Sequence, residues 1–323
     1  MATDFDPYAI LQVDPSAGQD QIDEAYRRQW AAYPSDSAPA ARLRELQTAY
    51  RILSDPDERR AYDARLTERA ADGASPSFAD ANPTGASSAR GVPWGVKEIL
   101  QSVGVVIGGV ILVSIPIFLV ADSVAGDQKV EDDPEALAIL FVASSFFQVA
   151  ALGAAWWFSV RKFGLGWDAL GIRKPEQGMP WLPFSLVTMA LLIVGAYGLL
   201  LDVAGIHPDT DLPDAAYDNT LPLVIIFVLT VAVAPVVEEL FFRGFVFGGL
   251  TARWGWIVGA AGSAALFGAA HLGNSGYVYV VPPIVGIGIL FAWSYHFSKS
   301  ILPSIGGHLL FNLIQVVGVL IAR

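Results

Sequence analysis

Residues 221–250 read LPLVIIFVLTVAVAPVVEELFFRGFVFGGL, an apolar run whose only charged residues are Glu238, Glu239 and Arg243. About 20 apolar residues suffice for a helix to cross a hydrocarbon core of about 30 Å, so the run is long enough to span a membrane. Charges inside such a span are expensive, and those that are kept serve packing or function. Six more apolar stretches surround it: Val96–Ala121, Leu137–Val160, Trp181–Val203, Trp256–His271, Tyr277–Phe297 and Leu302–Ala322. The chain as a whole is 54% hydrophobic and 16% charged, against roughly a quarter charged in soluble domains. These observations predict an all-α, multi-span transmembrane helical bundle of about seven spans.

The apolar excess begins late. Ile22, Ala25, Tyr26 and Trp30 recur at helical spacing, and so do Leu43, Leu46, Ala49, Tyr50 and Leu53. Asp55-Pro56 ends the second of these helices, and a charged third helix near Glu58 to Leu66 carries Tyr62 on its buried side. A small three-helix domain is expected over 1–66, a flexible Ala/Ser/Asp/Pro/Gly-rich linker over 67–95, and the transmembrane domain over 96–323. The first residues, Met1 to Asp14, lack the basic and apolar regions of a signal peptide. Arg161, Lys162, Arg173, Lys174, Arg253 and Lys299 fall on the side that holds the N-terminal domain, whereas the loop Asp202 to Asp218 has no Lys or Arg. The positive-inside rule therefore predicts a multi-pass cell-membrane protein with a cytoplasmic N-terminal domain. A net charge of -11 argues against a nucleic-acid partner, and the absence of cysteine removes disulfides, a thiol nucleophile and thiolate metal sites.

The polar groups that persist inside spans lie in the second half. Glu239 and Arg243 stand at i, i+4, a spacing that permits an ion pair, and Glu238 points about 100° away from Glu239 around the helix. Phe267-Gly268-Ala269-Ala270-His271 closes the fifth stretch, and His308 and Asn312 share one face of the last by their i, i+4 spacing. A structural ion network holding helices together is one reading of these groups. The other is hydrolysis, in which a carboxylate and an imidazole activate water and two donors hold an oxyanion. His207 and His296 read as solvated loop residues.

Glu238-Glu239 followed by Arg243, Phe267 followed by His271, and His308 followed by Asn312, in this order, resemble the three signature motifs of the CAAX protease and bacteriocin-processing (CPBP) family of intramembrane glutamate proteases. The likeness runs from about Trp181 to the C-terminus. It implies that Glu238 and His271 activate the attacking water, that His308 and Asn312 stabilise the tetrahedral oxyanion, and that Glu239 and Arg243 support the site. It implies a membrane-associated peptide or protein substrate, and no cofactor or metal; the metalloprotease spacing HExxH is absent. Because the family includes bacteriocin-immunity members, a non-catalytic membrane scaffold or immunity protein stays open as the alternative. A transporter ranks last, since no inverted repeat is evident. Placed by simple helix counting, His271 falls nearer the outer surface than Glu238, so the fifth helix is expected to be short or strongly tilted, with Gly273 to Gly276 dipping towards a cavity.

Asp6-Pro7-Tyr8-Ala9-Ile10-Leu11, Ile22 to Arg28, Ala49 to Pro56 and Arg59 to Asp63 are similar to the J domain of DnaJ-type co-chaperones. Where that family places His-Pro-Asp, this chain has Tyr33-Pro34-Ser35. The resemblance implies a degenerate J-like module, either docking a chaperone or another cytoplasmic protein, or retained for folding and membrane anchoring. The topology is testable because the chain has no cysteine of its own: an Asp209→Cys variant should react with an impermeant thiol reagent added to intact cells, and protection would reverse the orientation.

Overall fold

The structure is a computed structural model that describes residues 5–32, 40–72, 92–175, 179–208, 213–272 and 275–322. No strand occurs among the described residues.

Among the described residues the N-terminal module contains four helices: α1 (Pro7–Leu11), α2 (Gln19–Ala31), α3 (Ala40–Ser54) and α4 (Pro56–Asp72). The sequence reading has three; α1, a five-residue helix, is too short to show a helical period. Asp6 caps it by accepting from the Tyr8 backbone N–H at 2.9 Å. Asp55-Pro56 both ends α3 and starts α4, because Asp55 accepts from the backbone of Asp57 at 2.8 Å and of Glu58 at 3.1 Å, while Pro56 occupies the first turn, where its missing N–H costs nothing. Leu11, Ile22, Tyr26, Leu46, Ile52 and Leu53 form the core of the module. Arg59 closes it, donating to the Tyr8 hydroxyl at 2.9 Å and to the carbonyls of Ala17 and Pro15. The segment Tyr33-Pro34-Ser35 lies outside the described residues.

The module rests on the membrane body through α2 and α3. Tyr26 donates its hydroxyl to the Phe163 carbonyl at 3.1 Å, Arg27 donates to the Pro93 carbonyl at 2.8 Å, Gln47 reaches the Gly164 carbonyl, and Asp20 pairs with Arg253. Burial pushes the Tyr26 hydroxyl well above its ordinary pKa, so it stays a donor at any physiological pH. Trp94, fully buried, donates to the Phe245 carbonyl at 2.8 Å and fixes the entry into the first span.

Six helices among the described residues are long and apolar enough to cross a membrane, and the chain is a multi-pass membrane protein. They include α5 (Val96–Ala125), α6 (Pro134–Arg161) and α7 (Leu182–Val203). The fourth, Thr220–Ala269, is 50 residues long, far more than one crossing needs. It breaks at Gly255, whose φ of 81° and ψ of 164° lie in a region open essentially to glycine alone. The two arms, α8 (220–254) and α9 (256–269), correspond to the fourth and fifth stretches of the sequence reading. The arm α9 folds back on α8, with the Ser263 hydroxyl donating to the Phe242 carbonyl at 2.7 Å. Two further spans follow, α10 (Val281–Ser298) and α11 (Leu302–Ala322). At about 1.5 Å per residue α9 reaches only about 21 Å, short of a full crossing, so its end with His271 stays at the depth of the bundle interior. His296 belongs to the last turn of α10 and not to a loop; it stacks on Trp256 with ring centroids 4.9 Å apart.

Candidate active site

The polar residues of α8 sit where its winding changes. Residues Leu229–Val233 and Glu239–Phe247 form π-helical turns on either side of the α-helical turn Ala234–Glu238. Such insertions widen the helix and cluster at functional sites. Every side chain from Glu239 to Phe247 is buried, and Glu239 and Arg243 are both 0% exposed. Their side chains form an ion pair at 3.1 Å between Nη1 and Oε1. The guanidinium carbon lies 4.3 Å from the Phe267 ring centroid and 5.4 Å from that of Phe291, so a flat cation is sandwiched by aromatic faces from α9 and α10. Nη2 also donates to the Gly288 carbonyl at 3.4 Å; a Cβ there would lie 2.9 Å from that of Ala264, so glycine lets α10 approach this closely.

His308, from α11, stands between the two adjacent carboxylates. Its Nδ1 is 3.1 Å from Glu239 Oε1, and its Nε2 is 3.8 Å from Glu238 Oε2. The first distance is a hydrogen bond and the second is a gap. With Nδ1–H donated to Glu239, Nε2 is turned to Glu238, and it is a donor when the ring is the imidazolium. The polar groups therefore form a chain, Arg243 to Glu239 to His308 to Glu238, of which only the Glu239–Arg243 link is visible in sequence spacing.

His271 ends α9. Its Nδ1 lies 2.8 Å from the Phe267 carbonyl, and its ring meets the Phe267 ring edge-on at 4.8 Å. Donation from Nδ1 leaves Nε2 as the basic nitrogen of the neutral ring. Asn312, one turn beyond His308, donates its amide to the Thr230 carbonyl at 2.8 Å, at the first π-helical turn of α8.

Glu238, His271, His308 and Asn312 all line one cavity of about 460 Å³, in the size range of small-ligand sites. Glu239 and Arg243 lie behind it. The sequence reading names these six; it does not name Ser144, Gln148 and Thr230, which line the same cavity. Gln148 is a polar residue inside an apolar span, the signal that marked Glu238, but without a partner at i+4 to draw attention. Nor does it name Phe267 and Phe291 as the aromatic clamp on Arg243. His207 lies at the bundle surface, 4.0 Å from Asp202. Among the described residues no group of three or more His, Asp or Glu side chains gathers closely enough to hold a metal ion.

Residues 220–314 match the family described as type II CAAX prenyl endopeptidase Rce1-like. That stretch runs from the start of α8 into α11 and contains all six named polar residues. The match points to a protease. Residues 6–63 match the DnaJ domain. Over the same end, the chain is 41% identical across 81 residues to the chaperone protein DnaJ of Gluconacetobacter diazotrophicus, covering 24% of this chain and 21% of that protein. It is 42% identical across 74 residues to chaperone protein DnaJ 2 of Thermus thermophilus, covering 22% of this chain and 26% of that one. The chain thus spans only about a fifth to a quarter of the length of these relatives. No solved structure matches the chain.

The buried pair makes a stability prediction. Arg243→Leu leaves Glu239 buried without its cation and should cost about 3–5 kcal/mol in unfolding from detergent, whereas Arg243→Leu combined with Glu239→Leu should recover most of the loss. A single-variant cost under about 1 kcal/mol, the scale of an exposed pair, would remove the pair from its central place.

Proposed function

We propose that the chain is a glutamate-dependent intramembrane endopeptidase that hydrolyses peptide bonds of membrane-associated substrates with an activated water. The observation that carries this reading is the convergence of Glu238, His271, His308 and Asn312, from two helices and the end of a third, on a single cavity. In the proposed mechanism the Glu238 carboxylate takes a proton from water while the basic Nε2 of His271 helps to orient it. The hydroxide oxygen bonds to the peptide carbonyl carbon, and the developing oxyanion receives one donor from the Asn312 amide and one from Nε2–H of His308, which acts as an imidazolium with its Nδ1–H on Glu239. Collapse breaks the C–N bond, and the proton held by Glu238 passes to the leaving amine. Arg243 and Glu239 act through His308, whose ring they orient. No step needs a metal ion.

The orientation reading has structural support: the module contacts Phe163, Gly164 and Arg253, which lie in or beside the basic loops, so under the positive-inside rule module and loops are cytoplasmic. The J-like module is then available to a cytoplasmic chaperone or another protein, although Tyr33 and Ser35 replace the residues of the activating loop.

A scaffold or immunity role is favoured by one observation, the bond from Asn312 to the Thr230 carbonyl, which ties α11 to α8 without any substrate. Cleavage of a pool of quenched-fluorescent membrane peptides by the purified chain separates the two. Glu238→Gln keeps the shape and removes the base, and should lower the rate about a hundredfold or more. Asn312→Ala should cost roughly 3 kcal/mol of transition-state stabilisation. Chelators should leave the rate unchanged. Undiminished cleavage by Glu238→Gln, or loss with chelator restored by zinc, would overturn the mechanism.

A further inference from the structure

Gln148, on α6, stands at the junction of two cavities. One is the cavity of Glu238, His271, His308 and Asn312. The other, of about 520 Å³, opens between α5, α6 and α8 and is lined mostly by apolar side chains, among them Val110, Phe118, Phe147 and Phe242. Among the described residues, only Ser144, Gln148, Glu238 and His271 line both. The Ser144 hydroxyl donates to the Phe141 carbonyl of its own helix, 2.6 Å away. The Gln148 Oε1, in contrast, is buried with no hydrogen-bond partner.

An unpaired buried acceptor is unfavourable, and in a native structure it calls for a reason. Gln148 ties no helix to another through that oxygen, so packing supplies none. Substrate does. A peptide bond can be hydrolysed only when its segment leaves the helical state, and an extended segment at membrane depth carries backbone N–H and C=O groups that lipid cannot satisfy. A side-chain amide offers one acceptor and two donors, the complement of a peptide group. We infer that Gln148 is a substrate-binding residue whose side-chain amide hydrogen-bonds the backbone of an extended apolar peptide segment, held across the two cavities with its scissile bond beside Glu238. The apolar cavity receives side chains of the segment on one side of that bond. This rests on the proteolytic reading of the site.

The test uses the full chain in lipid nanodiscs and one quenched-fluorescent apolar peptide, together with a version N-methylated at the backbone amides flanking the cleaved bond. Gln148→Leu keeps the bulk and removes both halves of the amide. It should lower kcat/KM about tenfold, mainly through KM, with the thermal midpoint unchanged or raised because an unpaired acceptor is gone. The N-methylated peptide should bind the wild type and Gln148→Leu equally weakly. Binding measured in the Glu238→Gln background, which needs no cleavage, should weaken by the same factor when Gln148→Leu is added. Cleavage and binding within twofold of the wild type would overturn the inference and leave the proteolytic reading intact. A fall in the thermal midpoint of both Gln148→Leu and Gln148→Glu would overturn it in favour of a packing role. If the wild type cleaves nothing, the proteolytic reading fails, and peptide binding independent of Gln148 would sink the inference as well.

Discussion

A single buried ion pair organises the second half of this protein. Glu239 and Arg243 are wholly enclosed, and the guanidinium is pressed between Phe267 and Phe291. Taking two charges out of water is costly, and their mutual attraction offsets it only when geometry is good and further partners are present. Those partners are contributed by other helices: aromatic faces from α9 and α10, the Gly288 carbonyl from α10, and His308 from α11. These contacts join α8 to α9, α10 and α11 around the pair. The pair is therefore also the device that aims His308 at Glu238.

A second constraint is length. The chain between Thr220 and Ala269 is too long for one crossing, and Gly255 supplies the one backbone conformation that reverses it. Because α9 is short, His271 ends inside the bundle beside the Glu238 cavity. The expectation of a short or tilted fifth helix follows from the need for His271 to meet Glu238, and α9 has that form. Of the segment Gly273 to Gly276, expected to dip towards the cavity, Gly273 and Asn274 lie outside the described residues, and Ser275–Val280 form a 3-10 helix leading into α10.

What was legible in the sequence and what was not divides along physical lines. Long apolar runs report membrane helices directly, because hydrocarbon length sets a threshold that composition either meets or misses. Polar groups within those runs report the cluster for the same reason, so Glu238, Glu239, Arg243, His271, His308 and Asn312 can all be named from the sequence. Their partners could not: the contacts of Arg243 with Phe291 and of Asn312 with the Thr230 carbonyl join helices far apart in sequence, and no periodicity records them. The π-helical turns of α8 are equally silent, since the residues that form them are ordinary helix or strand formers. Helix α1 escapes because five residues complete too few turns to show a period. His296 falls within the apolar stretch Tyr277–Phe297, and reading it as a solvated loop residue fails because α10 continues to Ser298.

The central claim is that Glu239 acts on the reaction through His308 and not merely by holding helices together. The 3.1 Å contact between them is its physical basis. The most direct measurement is a double-mutant cycle on kcat/KM with Glu239→Gln and His308→Ala. If Glu239 works by orienting the imidazole, removing it should cost far less once the imidazole is gone, with a coupling of about 1–3 kcal/mol. Losses that simply add, to within about 0.5 kcal/mol, would mean that the two residues act independently and would contradict the account.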